Sequence, residues 1–237
     1  MRPWRARLGA RPTLEGLNRL AGEAALRTAS GRPLRFVPPA ASDPYYEINV
    51  FETGCVQTRP DSLHDLFNAL AWLAFPRTKA RINALHAAEI PREGGRRGRL
   101  RDLLTIFDEG GAIVAAPPAL AQLVRDFRWK DLFWQRRAEV LASMKLHVLG
   151  HAILEQALEP RPGITCKVIF VAEGTNAAAD ADALAAAWLE RLPAGATPRD
   201  MAPLPVFGYP DWLRGSERAE FYDDERFFRP LRGQRAR

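Results

Sequence analysis

Between Asp61 and Ile90 the chain reads DSLHDLFNALAWLAFPRTKARINALHAAEI, a helical apolar pattern interrupted once, at Pro76. Leu66, Leu70 and Leu73 recur at the helical period, with Phe67, Ala71 and Ala74 beside them. Ser62 followed three residues later by Asp65 resembles a capping box and marks a helix start. Proline lacks a backbone donor and clashes with the preceding turn, yet it fits the first position of a helix. Pro76 therefore ends one helix and opens a second, expected to reach about Glu89 and to stop at Pro91. Two helices hinged this tightly are the unit around which the rest of the chain is organised.

Each helix of the pair also carries a polar stripe. His64, Asn68 and Trp72 fall at i, i+4 and i+8, with Asp65 adjacent; Lys79, Asn83 and His86 fall at i, i+4 and i+7. If the helices fold back at Pro76, the stripes face a common space. A histidine with a carboxylate partner makes a general base, and lysine with asparagine holds an oxyanion or phosphate. The candidate catalytic residues are thus His64, Asp65, Asn68, Lys79, Asn83 and His86. A solvated face is the competing reading, and Trp72 and Phe75 beside the stripes weigh against it.

Around this unit the pattern predicts a helix capped by Thr13 with Leu14, Leu17, Leu20 and Ala24 on one face. PLRFVPP reads as a short strand, and YYEINVFETGCVQT as two strands around Thr53-Gly54. LRDLLTIFDEGGAIVAA reads as a hairpin turning at Asp108–Gly111. Pro117-Pro118 opens a helix, and residues 128–158 follow as one long or two broken helices. ITCKVIFVA is a strand, and Asn176 caps a helix that ends by Pro193. The remainder, PLPVFGYPDWL and FYDDERFFRP, is expected to lie extended over the surface, pinned by Phe207, Trp212, Phe221, Tyr222 and Phe228. The expected architecture is a helix-rich α+β single domain with short antiparallel strands or hairpins. It ends in an extended aromatic and proline-rich segment, with flexible basic ends at about 1–12 and 230–237.

Composition narrows the class further. At 237 residues, 47% hydrophobic and 26% charged, the chain can bury a core of its own. No window approaches the roughly 18 apolar residues of a membrane span, and the basic start lacks the apolar run of a secretory signal. The cytoplasm is the expected location. Cys55 and Cys166 sit in no Cys-x-x-Cys pair, so thiolate zinc is excluded and both read as small hydrophobes. The net charge of +6 is unevenly placed: residues 1–40, 92–101 and 226–237 carry +6, +4 and +5, leaving −9 elsewhere. Arginines Arg92, Arg96, Arg97 and Arg99 with the basic ends are the candidate contacts for phosphate or nucleic acid. A solvated, solubilising role is the plainer alternative.

A second chemical patch lies in MKLHVLGHAILEQ, where His147, His151 and Glu155 stand at i, i+4 and i+8. Two histidines four apart on a helix chelate a divalent metal, which makes His147 and His151 the candidate metal ligands. The zinc-protease signature fails, because Val148 stands where its glutamate belongs. A hydrogen-bonded core histidine is the alternative. The group Asp223-Asp224-Glu225 beside Arg226 and Arg229 reads as a surface ion-pair cluster. No P-loop, dinucleotide fingerprint or nucleophile elbow occurs, so no nucleotide cofactor is indicated.

The run HDLFNALAWLAFPRTKARINALH, with RDLLTIFDEGGAIV, LGHAILEQAL, PLPVFGYPDWL and FYDDERFFRP, resembles a bacterial domain-of-unknown-function family, number 3025 of that series. The resemblance implies a bacterial, soluble, one-domain protein and transfers no activity, cofactor or catalytic residue. Chemistry alone therefore ranks the readings. First is a hydrolase-type enzyme using the helical-hairpin patch, with a divalent metal held by histidines of both segments as one form of it. Next comes a non-catalytic interaction or structural module, and last a phosphate- or nucleic-acid-binding module.

Overall fold

A computed structural model describes residues 1–9, 12–40, 45–94 and 96–231. Its elements are α1 (Arg2–Ala6), α2 (Leu14–Glu23), β1 (Arg35–Val37), α3 (Tyr46–Thr53), β2 (Cys55–Gln57), α4 (Leu63–Ala74), α5 (Pro76–Glu89) and α6 (Arg99–Gly110). These are followed by β3 (Gly111–Ala115), α7 (Pro118–Arg125), α8 (Arg137–Ser143), β4 (Lys145–Val148), α9 (His151–Gln156), β5 (Thr165–Val171), α10 (Ala178–Glu190) and β6 (Ala202–Pro205). The architecture is helix-rich α+β, as expected. Of the basic ends, residues 10, 11 and 232–237 lie outside the described residues, while 2–6 form α1.

The central hinge is as read. Ser62 caps α4 by accepting from the Asp65 amide, and Pro76 is the first residue of α5. No side chain of its own caps α5. Instead Asp182 of α10 accepts from the amides of Arg77 and Thr78 at 3.0 and 2.8 Å, which ties the hinge to a distant helix.

A four-stranded sheet of order β4-β3-β5-β6 forms the centre. Every residue of β3 is buried, as a strand covered on both faces must be. Alternation along it splits the core: Ala112 and Val114 pack with Val168, Leu204 and Phe133, whereas Ile113 packs with Ile169, Leu104 and Ala185. A third cluster joins α2, β1, β2 and the outer face of α4. The strands are not all antiparallel: β1 pairs with β2, and β3 with β5, in parallel.

Five further expectations are corrected. YEINVFET forms helix α3, ended by Gly54, where an added Cβ would meet the Pro33 carbonyl oxygen at 2.2 Å. RLRDLLTIFDEG forms helix α6, because Leu103, Leu104 and Phe107 share one buried helical face. Gly110-Gly111 is then a helix-to-strand junction and not a hairpin turn. Residues 145–148 leave the predicted helix to pair with β3 as an edge strand. Finally, Ala177, not Asn176, occupies the N-cap of α10. The C-terminal segment also does more than lie on the surface: β6 extends the sheet, and Phe207, Tyr222 and Phe228 enter the core, while Trp212 stays exposed.

Candidate active site

A cleft of about 400 Å³ opens where α3, α4, α5, α6 and α9 meet. Tyr46, Glu47, His64, Asn68, His86, Asp108 and His151 line it, together with Arg59, Arg97 and Arg101. Its volume lies in the range of small-molecule sites.

The two polar stripes do converge, and Lys79 is the knot between them. Its ammonium donates to Asn68 Oδ1 at 2.8 Å and to Asp108 Oδ1 at 2.5 Å, and lies 5.5 Å from the centre of the Trp72 ring. The Asn68 amide in turn donates to the Tyr46 hydroxyl at 3.1 Å. Three helices and the start of a fourth are thereby joined by side chains. Burial works to raise the Asp108 carboxyl, but the neighbouring groups, led by the facing Lys79 ammonium, together hold Asp108 below the usual carboxylate range.

Beside this knot runs a relay of imidazoles. His64 Nδ1 lies 3.0 Å from Glu155 Oε2, and His64 Nε2 lies 3.1 Å from His151 Nε2. His151 Nδ1 lies 2.9 Å from the Asp108 carbonyl oxygen. Burial drives His151 down to about 4, against the opposing pull of Asp108, so its imidazole is neutral near neutral pH. Gly150 permits this placement, since a Cβ there would meet the Glu109 carbonyl oxygen and the Gly111 nitrogen at 2.7 Å.

Behind the cleft, Asn83 donates to the Glu47 carboxylate at 2.6 Å and to the Glu47 carbonyl at 2.9 Å. Burial pushes the Glu47 carboxyl up to about 7, with the Asn83 bond opposing and the Asp108 charge adding to the rise. His86, also pushed down to about 4 by burial, accepts from Arg101 Nε at 3.3 Å. Arg101 reaches Glu93 as well, at 2.7 Å.

Of the expected catalytic residues, His64, Asp65, Asn68 and His86 line the cleft, while Lys79 and Asn83 are buried behind it. Asp65 is not the partner of His64: it is held by the Arg59 side chain and amide, and Glu155 takes its place. The metal pair is also corrected. His147 lies on β4 with Nε2 3.2 Å from the Thr175 carbonyl oxygen, because the sheet claims its backbone; His151 meets His64 instead. Among the described residues no three His, Cys, Asp or Glu side chains come together to hold a metal ion.

Of the arginines, Arg97 lines the cleft and pairs with Asp102, Arg92 pairs with Glu89, and Arg96 and Arg99 are exposed. Both cysteines are free, and burial pushes the Cys166 thiol up to about 12. Sequence reading missed Tyr46, Glu47, Arg101 and Asp108. Glu47 was hidden in a presumed strand and Asp108 in a presumed turn. Only the Leu103, Leu104, Phe107 spacing carried a signal, since it places Asp108 one residue beyond a buried helical face.

A helix-rich α+β fold with an open, charged cleft between helices defines the class of globular domain to which this chain belongs. The chain belongs to the family described as protein of unknown function, DUF3025, which matches residues 34–232. No curated protein and no solved structure matches it. Among the described residues no helix is long and apolar enough to cross a membrane.

Proposed function

We propose that the chain is an acid–base enzyme of hydrolase type, acting on a small polar molecule in this cleft. One observation carries the reading: two carboxyls, Glu47 and Asp108, line the same cleft with proton affinities driven in opposite directions. Where environments split a pair in this way, the raised group exchanges protons near neutrality and the lowered one stays ionised. Glu47 is then the general acid–base, and Asp108 the fixed charge that holds Lys79 and faces His151. Arg101 and Arg97 offer guanidinium donors to a substrate oxygen. The unpaired cysteines agree with a cytoplasmic setting.

The test is a panel of nitrophenyl esters, phosphates and glycosides offered to wild type, Glu47→Gln and His147→Gln. Turnover that vanishes in Glu47→Gln and survives in His147→Gln, outside the cleft, is expected. Equal turnover in wild type and Glu47→Gln would sink the reading. A second reading, a non-catalytic interaction module, is favoured by the burial of Lys79, Asn83 and His86 with hydrogen-bond partners, as in a structural brace. On it, Glu47→Gln changes stability and nothing else.

A further inference from the structure

We propose that Tyr46 is a catalytic hydrogen-bond donor, and that the cleft takes a neutral carbonyl substrate, a carboxylic ester or amide, whose carbonyl oxygen accepts from the phenol O–H. The direction of the chain from Lys79 fixes the donor. An ammonium can only donate, so Asn68 takes its bond through Oδ1, at 2.8 Å. The other end of that amide is then Nδ2, which donates to the Tyr46 oxygen at 3.1 Å. With its oxygen accepting, the phenol still has its O–H to give, and among the described residues no group accepts it. Tyr46 lines the cleft, so that O–H is open to a bound molecule. Each bond of such a chain polarises the next, which strengthens the terminal donor. Burial, with the Glu47 charge adding, holds the phenol above its ordinary value, so it stays protonated.

Arg101 orients a second donor. Its Nε can only donate, so His86 Nδ1 accepts at 3.3 Å, and the proton of the neutral ring sits on Nε2. That N–H has no acceptor among the described residues, although His86 is 3% exposed and lines the cleft. His86 stands one helical turn beyond Asn83, which holds Glu47, and Tyr46 directly precedes Glu47 in the chain. Two neutral donors are thereby tied to the group that exchanges protons. Charge selects the substrate. The cleft arginines each face a carboxylate, Arg59 that of Asp65, Arg97 that of Asp102 and Arg101 that of Glu93, and Lys79 behind them faces Asp108. Among the described residues the cleft thus carries no surplus positive charge for a phosphate dianion. Neutral donors suit an oxygen whose charge develops only during reaction.

The inference rests on the acid–base reading for its proton transfers. Ionised Glu47 takes a proton from water as the water oxygen bonds to the carbonyl carbon. The carbonyl π electrons move onto the oxygen, and Tyr46 donates to the oxyanion so formed. Return of that electron pair breaks the bond to the alcohol or amine, which takes the proton back from Glu47. A carboxylic acid and the alcohol or amine leave.

The test uses the full chain, with p-nitrophenyl acetate and p-nitrophenyl phosphate for turnover. Calorimetry follows binding of the methyl phenylphosphonate anion, a stable mimic of the tetrahedral oxyanion. Wild type should hydrolyse the acetate and not the phosphate. Tyr46→Phe should lower kcat about 10²–10³-fold with KM little changed, and should weaken phosphonate binding by a similar factor. His147→Gln should change neither. Glu47→Gln should stop turnover and still bind the phosphonate, so turnover reports on the acid–base reading and binding on the donor. Binding that Tyr46→Phe removes, in a wild type that turns nothing over, would keep the donor and sink that reading. If Tyr46→Phe fails to fold, Asn68→Asp decides: it keeps the phenol but gives its O–H an inward acceptor, and the same losses are expected. No saturable phosphonate binding by wild type, undiminished binding in the folded variant, or faster hydrolysis of the phosphate overturns the inference.

Discussion

Lys79 has its ammonium enclosed between Asn68 and Asp108, with 5% of its side chain exposed against 16% for Asp108. Removing one member of such a pair leaves an uncompensated buried charge, so Lys79→Met is expected to cost about 3–5 kcal/mol in chemical denaturation. A loss in the range of a surface pair, about 0–1 kcal/mol, would mean that water reaches the knot. Glu47 gives a pH signature. Its folded value of about 7 lies above the ordinary 4.5, so between these values the folded chain holds a proton that the unfolded chain has released. Stability from this group therefore falls as pH rises through that window. His86 and His151 act oppositely: held at about 4 against 6.5, they refuse protons that the unfolded chain takes up, and stability falls as pH drops through that range. The windows overlap, so the difference between wild type and Glu47→Gln isolates the carboxyl. Urea midpoints across pH should show wild type losing ground to Glu47→Gln on the alkaline side; parallel profiles would mean Glu47 titrates as an ordinary surface acid.

At the scale of elements, the start of α5 rests on a residue about a hundred positions away. Asp182 is 2% exposed and supplies the cap that Phe75 cannot. Asp182→Ala is expected to cost about 1–2 kcal/mol, read as a lowered thermal midpoint; an unchanged midpoint would assign capping to water. Gly150 fixes α9 against the α6–β3 junction. Gly150→Ala forces that contact apart and should cost about 1–3 kcal/mol, with a loss of the His64–His151 pairing visible in the histidine ring resonances. Elements with long helical periodicity and proline punctuation, α4 and α5, were legible in sequence because the 3.6-residue pattern and the missing proline donor act locally. α3 and β4 were not. The β-branched and aromatic residues of α3 favour a strand, and packing overrides that preference. The residues of β4 continue a helical pattern until pairing with β3 outcompetes it.

Across the whole molecule, the C-terminal segment is what closes the core. Phe228 is 4% exposed and packs with Phe221 and Tyr222. Phe228→Ala is expected to cost about 3–5 kcal/mol, measured by denaturant unfolding; a cost below 1 kcal/mol would return this segment to the surface role its proline-rich sequence suggested.

By itself the sequence determined the helix pair hinged at Pro76, the polar stripes along it and the helix-rich α+β class, because periodicity, capping and proline chemistry are properties of neighbouring residues. Only the tertiary structure decided which groups meet. His64 takes its carboxylate from Glu155, 91 positions away, and its imidazole partner from His151, 87 positions away, while Lys79 takes Asp108 from a helix that composition disguised as a hairpin. Such pairings depend on how the elements are stacked around β3, and no local pattern encodes them.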